Sequence, residues 1–167
     1  MTPNWMKYWK RSGKCFYFLI FCYNVFMSKK KRKGDNPGRV IIPVNHPNPP
    51  EQHEVDAATV LACHYQSTVE FLIPVDDYKR KTADIILLNV EWELKCPIGD
   101  SKATIENVFR RASKQARNII VDSRRTKLEY DTIEKKILFE LNTRPSMKKV
   151  NKVILIDKCG KIVEVKK

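Results

Sequence analysis

Residues 83–96, ADIILLNVEWELKC, are predicted to form two short strands joined by a tight turn. Apolar residues are frequent in both halves, and many are β-branched or aromatic, which is typical of strands. We place the turn at Asn89 and Val90, so that residues 83–88 pair with residues 91–96. This hairpin is the expected centre of the fold, because both strands carry enough apolar residues to be buried.

Three charged residues of the hairpin, Asp84, Glu93 and Lys95, are predicted to lie on one face of the sheet. The turn at residues 89–90 places Asp84 opposite Lys95. Side chains alternate between faces along a strand, so Glu93 joins them. A register change of one residue would reverse the two faces. The opposite face is expected to pack as core and holds Ile85, Leu87, Trp92 and Leu94.

The flanking segments predict a mixed central β-sheet flanked by helices, and hence an α/β or α+β fold. Apolar residues at helical spacing predict helices over residues 51–66, 102–117 and 129–142. Short apolar runs predict strands over residues 68–73 and 118–122, and a closing hairpin of residues 150–157 and 161–165. Either Asp100 or Ser101 is the expected cap of the second helix.

Length and composition indicate one folded domain with an N-terminal extension. The chain has 167 residues, of which 43% are hydrophobic, and this suffices for one packed core. Residues 1–34 form a basic and hydrophobic head, residues 35–50 a proline-rich linker with room for an edge strand at 40–42, and residues 51–167 the domain. Nine Lys and Arg in the head account for most of the net charge of +13, so charge alone does not decide the function.

The head allows two interpretations. Its apolar stretch, residues 15–27, is shorter than the roughly 20 residues that a membrane-spanning helix needs, and no small-residue cleavage site follows it. Together with the basic run at 28–33 it is either a membrane tether or an upstream stretch that is not translated. We favour the second, because Met27 followed by SKKKRKGDN resembles the N-terminus of an ordinary soluble protein. Five scattered cysteines without a C-x-x-C pair indicate a reducing compartment, and hence a cytoplasmic site of action.

Asp84, Glu93 and Lys95 lie in strands otherwise suited to burial, where an unpaired charge is costly. Two carboxylates beside an ammonium group suit a hard divalent cation, Mg²⁺ or Mn²⁺, with water and substrate phosphate as the remaining ligands. The chemistry that this predicts is phosphodiester hydrolysis. The alternative is structural: a cross-strand salt bridge between Asp84 and Lys95, with Glu93 in solvent.

A wider pattern resembles a known nuclease family. Asp84, followed after eight residues by Glu93-Leu94-Lys95, is similar to the motif of the PD-(D/E)XK nuclease superfamily. A longer part of the sequence resembles the tRNA-nuclease C-terminal domain of CdiA-type contact-dependent inhibition toxins and its relatives on mobile elements. It runs from HEVDAATVLA through TADIILLNVEWELKCPIGDSKATIENVF to ASKQARNIIVD. The resemblance covers about residues 51–126.

The resemblance implies a set of active-site residues. Asp84 would be the principal metal ligand and Glu93 the second carboxylate, with the Leu94 carbonyl beside it. Lys95 would position water or stabilise the transition state. The implied catalytic residues are Glu54, Asp84, Glu93, Lys95 and Gln115, the last on the helix after the hairpin.

We therefore expect a metal-dependent endonuclease that acts on tRNA or another structured RNA, and that requires a neutralising immunity protein. A DNA endonuclease of the same fold from a mobile element, and a catalytically inactive nucleic-acid-binding module, are the alternatives. Arg124 and Arg125 are candidate phosphate contacts, weighed equally against exposure to solvent, and Lys148, Lys149 and Lys152 are further candidates.

Overall fold

The computed structural model describes residues 38–74 and 82–165, apart from the side chain of Lys102. These residues fall within one unit of the chain, residues 36–167. The predictions for the head, residues 1–34, lie outside the described residues.

The described residues form seven strands, three α-helices and one 3₁₀ helix, in an order that the sequence largely predicts. The elements are β1 (Arg39–Ile41), α1 (Gln52–Tyr65), β2 (Thr68–Phe71), β3 (Ile85–Leu87), β4 (Val90–Lys95), α2 (Lys102–Ala112), β5 (Asn118–Asp122), α3 (Tyr130–Thr143), the 3₁₀ helix (Pro145–Lys149), β6 (Lys152–Ile156) and β7 (Ile162–Val165). The 3₁₀ helix was not predicted, and the edge strand begins one residue earlier than expected.

The strands form one mixed sheet in which their order follows the order of the chain. Strands β2, β3 and β4 are antiparallel, as are β6 and β7. The pairs β1–β2, β4–β5 and β5–β6 are parallel, and a helix connects the strands of each pair. Parallel neighbours need such a crossover. The predicted mixed sheet flanked by helices is confirmed.

Two apolar clusters bury the two faces of the sheet. Helix α1 packs its alanines and Leu61 against one face, where the four apolar residues predicted for the core side of the hairpin all lie. Helices α2 and α3 cover the other face over β5 and β6, with Phe109 and Ile137 fully buried. The sheet is therefore the middle layer of three.

Ion pairs join α2 to α3. Lys136 Nζ lies 3.2 Å from a carboxylate oxygen of Glu106 in α2 and 3.2 Å from one of Glu140 in its own helix. Arg144, just after α3, also pairs with both acids. These contacts tie the middle of α2, at Glu106, to α3 and to the residue that follows α3.

The register predicted for the central hairpin is wrong by two residues. Ile85 pairs with Trp92 and Leu87 with Val90, so the turn lies at Leu88 and Asn89. Both turn residues have positive φ, 54° and 59°. A two-residue hairpin turn of this kind needs two such residues, and β-branched Val90 adopts positive φ poorly. Because a shift of two residues preserves the alternation, the predicted faces survive.

Helix α2 is shorter than predicted. Its N-cap is Ser101, one of the two residues expected there. The Ser101 hydroxyl oxygen accepts a hydrogen bond of 3.1 Å from the N–H of Ala103. The helix ends at Ala112 rather than at residue 117, because the hydroxyl of buried Ser113 donates to the Arg110 carbonyl and the next two residues form a tight turn. Gln115 therefore lies in this turn and not on a helix, contrary to the prediction.

No helix of the described residues is long and apolar enough to cross a membrane.

The turn of the central hairpin offers a test of the corrected register. Replacing Leu88 with Gly should raise the free energy of unfolding by about 0.5–1 kcal/mol, because Gly adopts positive φ without the steric cost that Leu bears. Chemical denaturation of the full chain measures this. Val90→Gly is the control: in the observed register Val90 is a strand residue, so this change should destabilise the protein. The opposite pattern would favour the turn at residues 89–90.

Candidate active site

The predicted charged cluster is present at the centre of the sheet. Lys95, the last residue of β4, has its Nζ 3.4 Å from Asp84 Oδ2 and also forms an ion pair with Glu93 Oε1. Asp84 lies immediately before β3, where its N–H donates to the Trp92 carbonyl at 3.0 Å. The hairpin therefore holds two carboxylates around one ammonium group.

Glu93 is completely buried, with 0% of its surface exposed. The expectation that Glu93 lies in solvent, which belonged to the purely structural interpretation, is wrong. Burial on its own would lower the pKa of Lys95, but the neighbouring Asp84 and Glu93 outweigh it and raise the pKa above its ordinary value. Lys95 is therefore an ammonium ion at neutral pH, and its charge compensates that of the buried Glu93.

The backbone of Leu94 points toward Asp84. Its N–H donates to Asp84 Oδ2 at 2.8 Å. In an extended strand the N–H and C=O of one residue leave on the same side, so the Leu94 carbonyl is also directed toward the side of Asp84. This is the carbonyl that the sequence motif implies as a metal ligand.

A cavity of about 530 Å³ opens beside Asp84. Glu54 from the first turn of α1 and Gln115 from the turn after α2 both line it, as do His46 and the end of β2. The structure thus brings together Glu54, Asp84 and Gln115 at one cavity, and Lys95 contacts both Asp84 and Glu93.

Residues 81–162 match the family of the contact-dependent growth inhibition CdiA C-terminal domain. The match covers just under half of the chain and contains Asp84, Glu93, Lys95 and Gln115, whereas Glu54 lies outside it. Among solved structures, the chain is similar to a chain of the "CdiA-CT/CdiI toxin and immunity complex from Burkholderia pseudomallei". That comparison has a TM-score of 0.53 and 19% identity, and covers 77% of this chain and 100% of that one. No curated protein matches.

The comparison indicates that this chain shares its overall mixed α+β fold with a chain of a CdiA toxin and immunity complex. At this level of identity the likeness concerns the fold. The family match and the charged cluster coincide in sequence, since the cluster lies at the start of the CdiA C-terminal match.

Glu54 has a structural role in addition to its place at the cavity. Its Oε2 accepts the N–H of Glu51 at 2.9 Å, which satisfies a backbone donor at the start of α1. Glu54 is half-buried. Glu54 thus both stabilises the start of α1 and lines the cavity.

His46 is a cavity residue that the sequence did not indicate. Its Nε2 lies 3.0 Å from the Leu72 carbonyl, which can only accept, so Nε2 carries the proton. Nδ1 is then an acceptor. It is buried and has no hydrogen-bond partner among the described residues. Spacing could not reveal this histidine, because it reaches the site from the proline-rich segment before α1.

The two candidate phosphate contacts after β5 differ in their surroundings. Arg124 forms a bidentate ion pair with Asp122, with Nη2 2.7 Å from Oδ2 and Nε 2.9 Å from Oδ1. Asp122 is buried, at 1% exposure. The hydrogen bonds that Arg124 donates to the Asp122 carboxylate raise the pKa of Arg124, and Asp122 neutralises its charge. Arg125 is exposed. Arg124 is therefore held by the fold, and of the two it is Arg125 that faces solvent.

Cys96 is not an activated nucleophile. Burial is the main reason that the pKa of its thiol is raised to about 12, and Asp122 and Glu54 add to it. The thiol is thus protonated at neutral pH. It packs against the core cluster below α1.

Among residues 38–74 and 82–165, no group of three or more His, Cys, Asp or Glu side chains is arranged to hold a metal ion. A cation at this site would therefore rest on two carboxylates, one carbonyl, and oxygens of water and substrate. Such a set suits Mg²⁺, which keeps several waters. Asp84 and Glu93 supply carboxylate oxygens, the donors that Mg²⁺ prefers, and both lie beside Lys95.

The Asp122–Arg124 pair predicts a difference between the two arginines. Arg124→Ala should lower the free energy of unfolding by about 2 kcal/mol, because it leaves the buried Asp122 carboxylate without its cation. Arg125→Ala removes an exposed cation and should change it by less than about 0.5 kcal/mol. Equal effects in denaturant titrations of the full-length variants would contradict this assignment.

Proposed function

We propose that the protein is a metal-dependent endonuclease of the PD-(D/E)XK type that hydrolyses phosphodiester bonds in tRNA or another structured RNA. The observation that carries the proposal is the cavity that Asp84 lines together with Glu54 and Gln115, with Lys95 linking Asp84 to the buried Glu93. Five residues from separate segments thus either line this cavity or are linked to Asp84 through Lys95.

The comparisons support a toxin of this class. Residues 81–162 match the CdiA C-terminal family, and the solved relative is described as part of a toxin and immunity complex. A hydrolase that attacks nucleic acid is a physically reasonable toxin, because a single active molecule inactivates many targets. The preference for RNA rests on the sequence resemblance to tRNA nucleases.

In this proposal Asp84, Glu93 and the Leu94 carbonyl would hold Mg²⁺ or Mn²⁺. Once bound, the metal polarises the phosphoryl oxygens and acidifies a coordinated water. Lys95 stays protonated and supplies a positive charge beside the phosphate, where negative charge develops in the transition state. Gln115 offers both a donor and an acceptor to a phosphate oxygen or a water at the cavity wall.

The solved relative also supports a protein partner. Its description names an immunity component, and we propose that a neutralising immunity protein binds this chain as well. With tRNA as the proposed substrate, the proposed place of action is the cytoplasm.

The central test compares the full chain with its Asp84→Ala variant. With Mg²⁺, the wild-type protein should cleave total tRNA, and Asp84→Ala should reduce the rate by a factor of about 10³, because it removes a residue on which transition-state stabilisation depends. EDTA should abolish cleavage in both. Asp131→Ala, which removes an exposed acid in α3, is the matched control and should keep the wild-type rate.

Duplex DNA is the second substrate in this experiment. Cleavage of DNA but not of tRNA would retain the site and replace the substrate with that of a DNA endonuclease. A folded wild-type protein that cleaves neither, with Mg²⁺ or with Mn²⁺, would overturn the nuclease proposal in favour of a binding module.

Metal binding has a readout that does not depend on activity. Mn²⁺ should raise the Tm of the wild-type protein, by the equivalent of about 2.7 kcal/mol when its concentration is 100 times Kd. Asp84→Asn and Glu93→Gln should each show a much smaller shift, since each replaces a ligand of the proposed site. The comparison concerns the shift caused by the metal, so a changed Tm in the absence of metal does not affect it. Equal shifts in all three proteins would refute the proposed ligands.

A further inference from the structure

A second cavity, of about 470 Å³, lies next to the candidate active site and is rich in cations. Lys114 and Arg117 line it from the chain between α2 and β5, and Lys149 lines it from the end of the 3₁₀ helix. Glu91 is the one acid among its lining residues, so the cavity carries an excess of two positive charges.

The three cations of this cavity take part in no ion pair with an acid among the described residues. Over residues 38–74 and 82–165, ion pairs occupy Lys95, Arg124, Lys136, Arg144 and Lys158, and none involves Lys114, Arg117 or Lys149. All three are exposed. Their charges are therefore available to a ligand, in contrast to that of Arg124.

The backbone that carries these cations is held in place. The Arg117 carbonyl accepts a hydrogen bond of 2.7 Å from the N–H of Asn151, which joins the chain before β5 to the chain before β6. The side chain of Asn118 donates to the Glu91 carbonyl at 3.0 Å and ties the same point to β4. Met147, in the 3₁₀ helix beside Lys149, is fully buried. The cavity is built on strand starts and an anchored turn.

The two cavities meet at Gln115, which lines both of them. On β4 they are also close, because Glu91 lines the cationic cavity and Glu93, two residues further on, belongs to the charged cluster. Two residues of a strand span about 7 Å. An extended ligand bound at Asp84 would therefore also reach the cationic cavity.

We propose that the cavity formed by Lys114, Arg117 and Lys149 binds the phosphate backbone of a polynucleotide, next to the phosphate that is cleaved at Asp84. This inference rests on the proposed nuclease function and adds the course of the substrate over the surface. The contacts are to phosphates, so they contribute affinity and position and do not read sequence.

The test measures binding of a labelled single-stranded RNA oligonucleotide to the full chain in EDTA, as a function of salt. The variant Lys114→Gln/Arg117→Gln/Lys149→Gln should bind more weakly, and the slope of log K against log salt should be smaller by about 2, because three phosphate contacts are lost. The control Lys127→Gln/Lys135→Gln/Lys161→Gln removes three exposed cations elsewhere and should keep the wild-type slope. The basic head is present in all three proteins and cancels in the comparison.

Cleavage assays on the same proteins separate this proposal from the function on which it rests. If the wild-type protein cleaves RNA and the cavity variant has the slope of the control, the cavity proposal is overturned and the nuclease stands. If no protein cleaves but the slope falls only in the cavity variant, the phosphate site stands and the nuclease proposal fails. Absence of RNA binding by the wild-type protein would overturn the site as well.

Discussion

The site depends on one constraint, the complete burial of the Glu93 side chain on the central sheet. An ionised carboxylate at this depth is costly unless a cation compensates it, and Lys95 on the same strand is that cation. Lys95 in turn lies beside Asp84, whose carboxylate also accepts a hydrogen bond from the Leu94 N–H. The three charged side chains thus stabilise one another's positions. The Glu93 carboxylate, which would destabilise the core if it were unpaired, is held there by an ion pair.

The charged cluster lies where the pairing of the strands changes. On one side β4 has an antiparallel partner, and on the other a parallel one. Helices α2 and α3 pack with the apolar side chains of β5 and β6 in one cluster, whereas Asp84, just before β3, lines a cavity. Within the charged cluster, Asp84 and Lys95 are partly exposed and Glu93 is buried.

Much of the architecture could be predicted from local pattern, and the errors have identifiable physical causes. Strand β5 has the predicted limits, and the faces of the hairpin are correct, because alternation over a few residues determines both. The predicted turn at residues 89–90 is wrong because the structure gives positive φ to Leu88 and Asn89, a conformation that β-branched Val90 adopts poorly. The end of α2 was missed because Ser113 terminates the helix through its hydroxyl, which apolar periodicity does not register.

The site itself was predictable in its charged centre and less so around it. Asp84, Glu93 and Lys95 stand out as acids and a base in apolar strands, whereas His46 enters from a proline-rich segment and is placed only by the tertiary fold. The ion pair between Arg124 and Asp122 could not be predicted either, because the sequence is the same whether the two side chains pair or face solvent.

The hairpin turn at Leu88 and Asn89 has a consequence for how the protein folds. Pairing the strands around residues 89–90 would keep the same side chains on each face, so the alternation of apolar and charged residues does not separate the two pairings. The backbone preference of the two loop residues does separate them. An exposed loop thus contributes to correct assembly at the centre of the molecule, and a chain that begins with the other pairing must separate its strands before it reaches the native state.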